Sequence, residues 1–279
     1  MTTTQSQLAG RRTGAAPLPP ATGHAGFTGA LRSEFTKIRS TRSTYWTLLA
    51  MIVITIGFGA LASGGAANSG NEGPAFDPTQ QSLFGLFFGQ LVIAVLGALT
   101  ITSEYATGMI RTSLTAQPRR GTLLAAKATV FAAVALVTGL ITCFGAFFLG
   151  QALMSGAHMG TSIAAPGVLR AVVGGALFLT ACGMLAFGLG AILRHTAGAI
   201  TAAIVLLFVL SILVNALPHD WQAHVDKWMP AIAGSQIWAV VPVKGFPPML
   251  APWTGFAVLC GYALVALAGG LILVRRRDA

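Results

Sequence analysis

Residues 103–127 read SEYATGMIRTSLTAQPRRGTLLAAK and concentrate charge in a chain that is otherwise apolar. Glu104 closes one long apolar run, and Arg111, Arg119, Arg120 and Lys127 follow before the next run begins. The segment from Tyr105 to Leu114 has the composition of a short helix, although Gly108 weakens it, and Pro118 stops any helix just beyond. This spacing predicts a short helix on one membrane face, held between two spanning helices and able to dock a soluble partner.

Composition sets the class around this stretch. The 279 residues are 54% hydrophobic and 9% charged, with a mean hydropathy of +0.75, whereas a soluble domain carries roughly 25% charged residues. The fold class expected is therefore an all-α polytopic membrane protein. Six apolar segments, each near the roughly 20 residues that cross a bilayer as helix, fall at about 45–62, 83–102, 128–150, 171–193, 197–216 and 254–274.

The net charge of +10 would suggest nucleic acid in a soluble chain, but its placement suggests topology instead. With the N-terminus inside, fourteen Lys and Arg lie on the cytosolic side and three, Arg170, Lys227 and Lys244, lie outside. That bias orients both termini to the cytosol of a multi-pass plasma-membrane protein, with no nucleic-acid partner expected. Residues 1–26 are rich in Thr, Ala, Gly and Pro and read as a disordered cytosolic tail. Arg11 and Arg12 are not followed by the apolar block that an export signal needs. Residues 27–279 form the six-helix membrane domain.

Over 27–44 the apolar residues Phe27, Leu31, Phe35 and Ile38 recur at helical spacing, with Arg32, Lys37 and Arg39 around them. One reading is a helix in the membrane interface, its apolar stripe in the acyl boundary and its basic residues near anionic head groups, with membrane lipids as partners. The other is a basic cytosolic flank that obeys the positive-inside rule. On the outside, 64–82 and 155–167 carry little charge. The loop 217–253 holds Trp221, Trp228, Trp238, Trp253 and six prolines, and should lie on the outer leaflet as a re-entrant hairpin or as short interfacial helices.

Chemistry-bearing motifs are few. No GxxxxGK[ST] phosphate loop occurs. Cys143, Cys182 and Cys260 all fall in predicted spans, as packing or lipid-facing thiols rather than a metal or disulfide frame. His219, Asp220, His224 and Asp226 read as a solvated loop, since their spacing fits no zinc pattern. Ionisable residues within the spans fall only at their boundaries, which disfavours a membrane-embedded enzyme and a proton relay alike. No catalytic, cofactor-binding or metal site is expected. Small residues four apart, Ala60 with Gly64, Ala146 with Gly150, Ala186 with Gly190 and Ala266 with Gly270, should let helices approach closely.

Glu104, Tyr105, Gly108, Arg111, Leu114, Pro118, Arg120 and Lys127 together resemble the signature of membrane subunits of type-2 ABC exporters. The first helix LRSEFTKIRS, the RHTAGA turn at 194–199, WMPAIAG in the long outer loop and the RRRDA end are similar to actinobacterial members. The resemblance implies a permease subunit without enzyme activity of its own, paired with an identical or related second permease and driven by a separate ATP-binding cassette ATPase. It implies that Glu104, Tyr105, Gly108, Arg111, Leu114, Pro118, Arg119 and Arg120 belong to a coupling helix and its flanks, seated on that ATPase. An isolated carboxylate at the membrane edge is costly, so Glu104 should pair with a basic residue of the first helix. The apolar interior and aromatic outer loop favour efflux of an amphipathic or lipid-like compound. The alternative is a membrane anchor or signalling partner that recruits a cytosolic protein without transport.

Overall fold

A computed structural model of the chain describes residues 26–69, 76–109, 120–214, 216, 218–241 and 249–276. The tail expected over 1–26 thus falls outside the described residues except for Gly26. In chain order the helices are α1 (Phe27–Ser40), α2 (Arg42–Ser69), α3 (Pro78–Ser82), α4 (Leu86–Ala106), α5 (Arg120–Ser155), α6 (Val168–Leu193), α7 (Thr196–Val214), α8 (His219–Val225), α9 (Pro230–Ser235) and α10 (Pro252–Arg276). Among the described residues, α2, α4, α5, α6, α7 and α10 are long and apolar enough to cross a membrane. The protein is an all-α polytopic membrane protein.

The six long helices alternate in direction, so their ends gather in two places. One is a charged end, where α1 meets α2, α4 gives way to α5, α6 turns into α7, and α10 finishes. At the other end lie α3, the turn after α5, and α8 and α9.

The most enclosed long helix is α6, packed against α4, α5 and α10. Its enclosure depends on small residues that bring backbones together. A Cβ placed on Gly97 of α4 would stand 2.2 Å from the Gly183 carbonyl oxygen of α6, so hydrogen is the substituent the crossing admits. Phe131, Phe147, Phe178 and Phe187 fill the space between these helices. By contrast α2 and α10 turn large apolar side chains outward, Trp46 and Leu61 on one and Leu264 and Val265 on the other, as helices solvated by lipid do.

Three boundaries differ from the sequence expectation. Tyr105 and Ala106 continue α4 rather than opening a new helix, which ends where Gly108 takes the left-handed φ of +70°. The helix expected to continue to Leu114 otherwise lies outside the described residues. Arg120 to Lys127, expected in a polar loop, already forms the first two turns of α5. Charge is tolerated there because neighbouring helices supply carboxylates to Lys127 and a backbone carbonyl to Arg120. Finally, α2 runs on to Ser69, and the rest of that expected outer loop includes α3, capped by Asp77.

Among the paired small residues, Gly150, Gly190 and Gly270 sit at close contacts, but nothing lies within 4 Å of a Cβ on Gly64. That pair is no crossing among the described residues. The close approach of Gly97 to Gly183 has no four-residue signature.

The loop-rich end is fastened by side chains bonding backbone. Asp77 Oδ1 accepts from the Thr79 and Gln80 amides at 2.9 and 3.1 Å, and Oδ2 from Val240 and Val241 at 2.8 and 3.0 Å. Arg170 donates to the Ile237 and Ala239 carbonyls at 3.1 and 2.9 Å. The expected aromatic loop is therefore partly built into the protein: Ile237 and Trp238 are buried, while Trp221, Trp228 and Trp253 are exposed. It contains α8, α9 and two 3-10 turns, Asp226–Trp228 and Gln236–Trp238. Asp226, expected in solvent, is 4% exposed, and burial raises its carboxyl above the ordinary value, with a hydrogen bond from Gln222 opposing the rise in part.

Candidate functional site

At the charged end, α1 is an amphipathic helix that buries Ala30 and Glu34 against its neighbours. Its three-residue spacing from Glu34 to Lys37 places a carboxylate and an ammonium on one face, and Lys37 Nζ lies 2.7 Å from Glu34 Oε1. The same ammonium reaches Glu104 Oε1 of α4 at 3.0 Å. From α5, Lys127 Nζ stands 2.8 Å from Glu104 Oε1 and 2.5 Å from Glu34 Oε2. Glu34, Lys37, Glu104 and Lys127 thus close a ring of alternating charge across α1, α4 and α5.

The ring is formally neutral, which is what allows it to be buried. Glu34, Glu104 and Lys127 are 1%, 5% and 4% exposed, and any one of them alone would carry a large desolvation cost. Lys37 is the half-exposed member. Burial by itself lowers its pKa, but the hydrogen bonds and charges of Glu34 and Glu104 outweigh that and hold it above the usual lysine value. Glu104 Oε2 is buried and has no hydrogen-bond partner among the described residues. Glu104 also lines, with Tyr105, Arg120 and Lys127, a void of about 10 Å³.

Two arginines tie the neighbouring helices to the same end. Arg194 caps α6 in the left-handed conformation, φ 55°, lies 5.1 Å over the Tyr105 ring, and donates to the Leu273 carbonyl of α10 at 3.2 Å. Arg120, at the start of α5, donates to the Val274 carbonyl at 3.3 Å. Both cations therefore sit on the last carbonyls of α10, where the helix dipole favours positive charge. Thr102 and Thr196, joined at 3.0 Å, link α4 to α7.

Of the residues singled out in the sequence, Glu104, Tyr105 and Arg120 come together here, and Gly108 makes the turn just beyond. Arg111, Leu114, Pro118 and Arg119 lie outside the described residues. On α1, Phe27, Arg32, Phe35 and Arg39 are exposed, Leu31 and Ile38 half-buried. Lys37 turns into the ring rather than outward toward head groups, drawn by two carboxylates. Sequence reasoning passed over Glu34, which had a signal: it is the first acidic residue of the chain, the next being Glu72, and it stands inside a basic amphipathic segment. Arg194 as a clamp on α10 had none, because its acceptor is a backbone carbonyl far along the chain. Among the described residues no three His, Cys, Asp or Glu side chains converge to hold a metal ion, and Cys143, Cys182 and Cys260 are free thiols.

Residues 30–219, more than half of the chain and all of the ring, match the family described as ABC-2 family transporter protein. No curated protein sequence matches the chain.

Proposed function

The chain belongs to the ABC-2 family of transporter proteins, and on that premise we propose that the charged end is where this permease subunit is driven by a separate ATP-binding cassette ATPase. The 110–119 connection, flanked by Glu104, Tyr105 and Gly108 on one side and Arg120 on the other, would seat on that ATPase in the cytosol. Supporting this reading is the buried ring, which joins both flanks of the connection to each other and to α1.

A push on the connection reaches α4 and α5 together. Removing one partner from a buried ion pair costs about 3–5 kcal/mol, so the helices are held as one body when the ATPase closes. Arg194 and Arg120 extend that body to α6 and α10. ATP binding would draw the connections of two permeases together, this chain with a second copy or a relative, and turn the spans outward; hydrolysis would reset them. The charge bias supports cytosolic termini at the plasma membrane. The apolar spans support export of an amphipathic or lipid-like compound.

The test is affinity purification of the tagged chain from native membranes in mild detergent, beside a variant with residues 105–114 replaced by Gly and Ser. A phosphate-loop ATPase that accompanies the native chain and not the variant is the expected result. If none accompanies a folded native chain, the reading fails and a membrane anchor without transport takes its place.

A further inference from the structure

An open groove of about 560 Å³ runs between α1 and α5 on the side of α1 away from the ring. Its α1 wall is Leu31 and Phe35; its α5 wall is the stripe Val130, Ala133, Val134 and Val137 at helical spacing. Large side chains on one wall and small ones on the other leave a channel where a flat helix contact would close. Arg32 stands at the groove, exposed, and among the described residues it has no acidic partner, because the two carboxylates nearby are engaged by Lys37 and Lys127.

We infer that this groove holds one acyl chain of an anionic phospholipid of the cytosolic leaflet, with Arg32 on the head-group phosphate. Depth supports the assignment. The α5 wall runs from Thr129 to Thr138, about 13 Å at about 1.5 Å per residue, close to half of a hydrocarbon core of roughly 30 Å. It begins two residues past the buried charge of Lys127, at the level where the chain turns apolar. Charge supports it too: a guanidinium with no acidic partner among the described residues, lining an apolar channel, matches a phosphate joined to an acyl chain. The ring fixes the groove's width by pinning Glu34 of α1 to Lys127 of α5. The leaflet, and only the leaflet, rests on the cytosolic placement proposed above.

Native mass spectrometry of the full chain in detergent tests this with phosphatidylglycerol and phosphatidylcholine of matched acyl chains, a readout independent of whether an ATPase binds. The native chain should retain phosphatidylglycerol roughly fivefold better, the ratio that about 1 kcal/mol per basic residue gives. Arg32→Gln should erase that preference, and Val134→Trp should remove one bound lipid of either kind. Ala133→Leu fills the channel more gently if Val134→Trp aggregates. Equal retention by the native chain, an Arg32→Gln preference unchanged, or a filled groove that releases a second copy of the chain instead of lipid would each overturn the assignment.

Discussion

Lys127 Nζ lies 2.8 Å from Glu104 Oε1, with both side chains buried at the charged end of the bundle. The loop that separates them in sequence is the one proposed to meet the ATPase, so the pair closes that loop at its base. Glu34 and Lys37 complete the neutral ring. Replacing Glu104 by Leu leaves two lysines with one carboxylate and should cost about 3–5 kcal/mol. The double variant with Lys127→Met removes a balanced pair and should cost less than either single change. A double-variant cycle by thermal unfolding in one detergent measures this, and additive losses would contradict the ring.

Arg194 combines a strained backbone with two useful contacts, the Leu273 carbonyl and the Tyr105 ring. Alanine and glycine at this position both lose the contacts, but only glycine relieves the left-handed φ. Arg194→Gly should therefore be more stable than Arg194→Ala by about 1 kcal/mol, read from the two unfolding midpoints.

Asp226 gives a pH dependence of known sign. Burial raises its carboxyl, so the folded chain holds the proton more tightly than the unfolded chain does. Its contribution to stability is full below the ordinary value of 3.8 and is lost as pH rises through the folded value. Asp226→Asn should be more stable than the native chain at neutral pH by about 1 kcal/mol, with the gap narrowing as pH falls toward 4. A gap that widens on acidification would reverse the sign.

Two glycines on spanning helices should respond oppositely to alanine. At Gly97 the added methyl meets the Gly183 carbonyl, and separating α4 from α6 should cost about 3 kcal/mol or more. At Gly64 nothing stands within 4 Å, and helix propensity should make the change neutral or favourable by up to about 1 kcal/mol. Yield and unfolding midpoint in detergent distinguish the two.

Apolar runs of spanning length showed the helices in the sequence, because a bilayer demands that signal whatever the helices later pack against. The ends were less legible. Arg120 and Lys127 read as loop because charge in a helix near a membrane is costly, and what offsets the cost, Glu34 for Lys127 and the Val274 carbonyl for Arg120, lies in other helices and is invisible to any local window. Glu104 was readable as needing a partner; that it would have two lysines was not. Trp238 shows the same limit at the other end. It shares its composition with Trp221 and Trp228, yet it alone of the three is buried, because Asp77 and Arg170 pull its segment onto the bundle.

The measurement that bears most directly on the ring as a coupling element is hydrogen exchange of the purified permease–ATPase complex, with and without ATP, for the native chain and Glu104→Gln. ATP should change amide exchange in the native chain at the loop-rich end, around 157–167 and 230–241, far from the ATPase. In Glu104→Gln the ATPase should still co-purify and hydrolyse ATP, while that distant response is lost. A distant response of native size in Glu104→Gln would contradict the account.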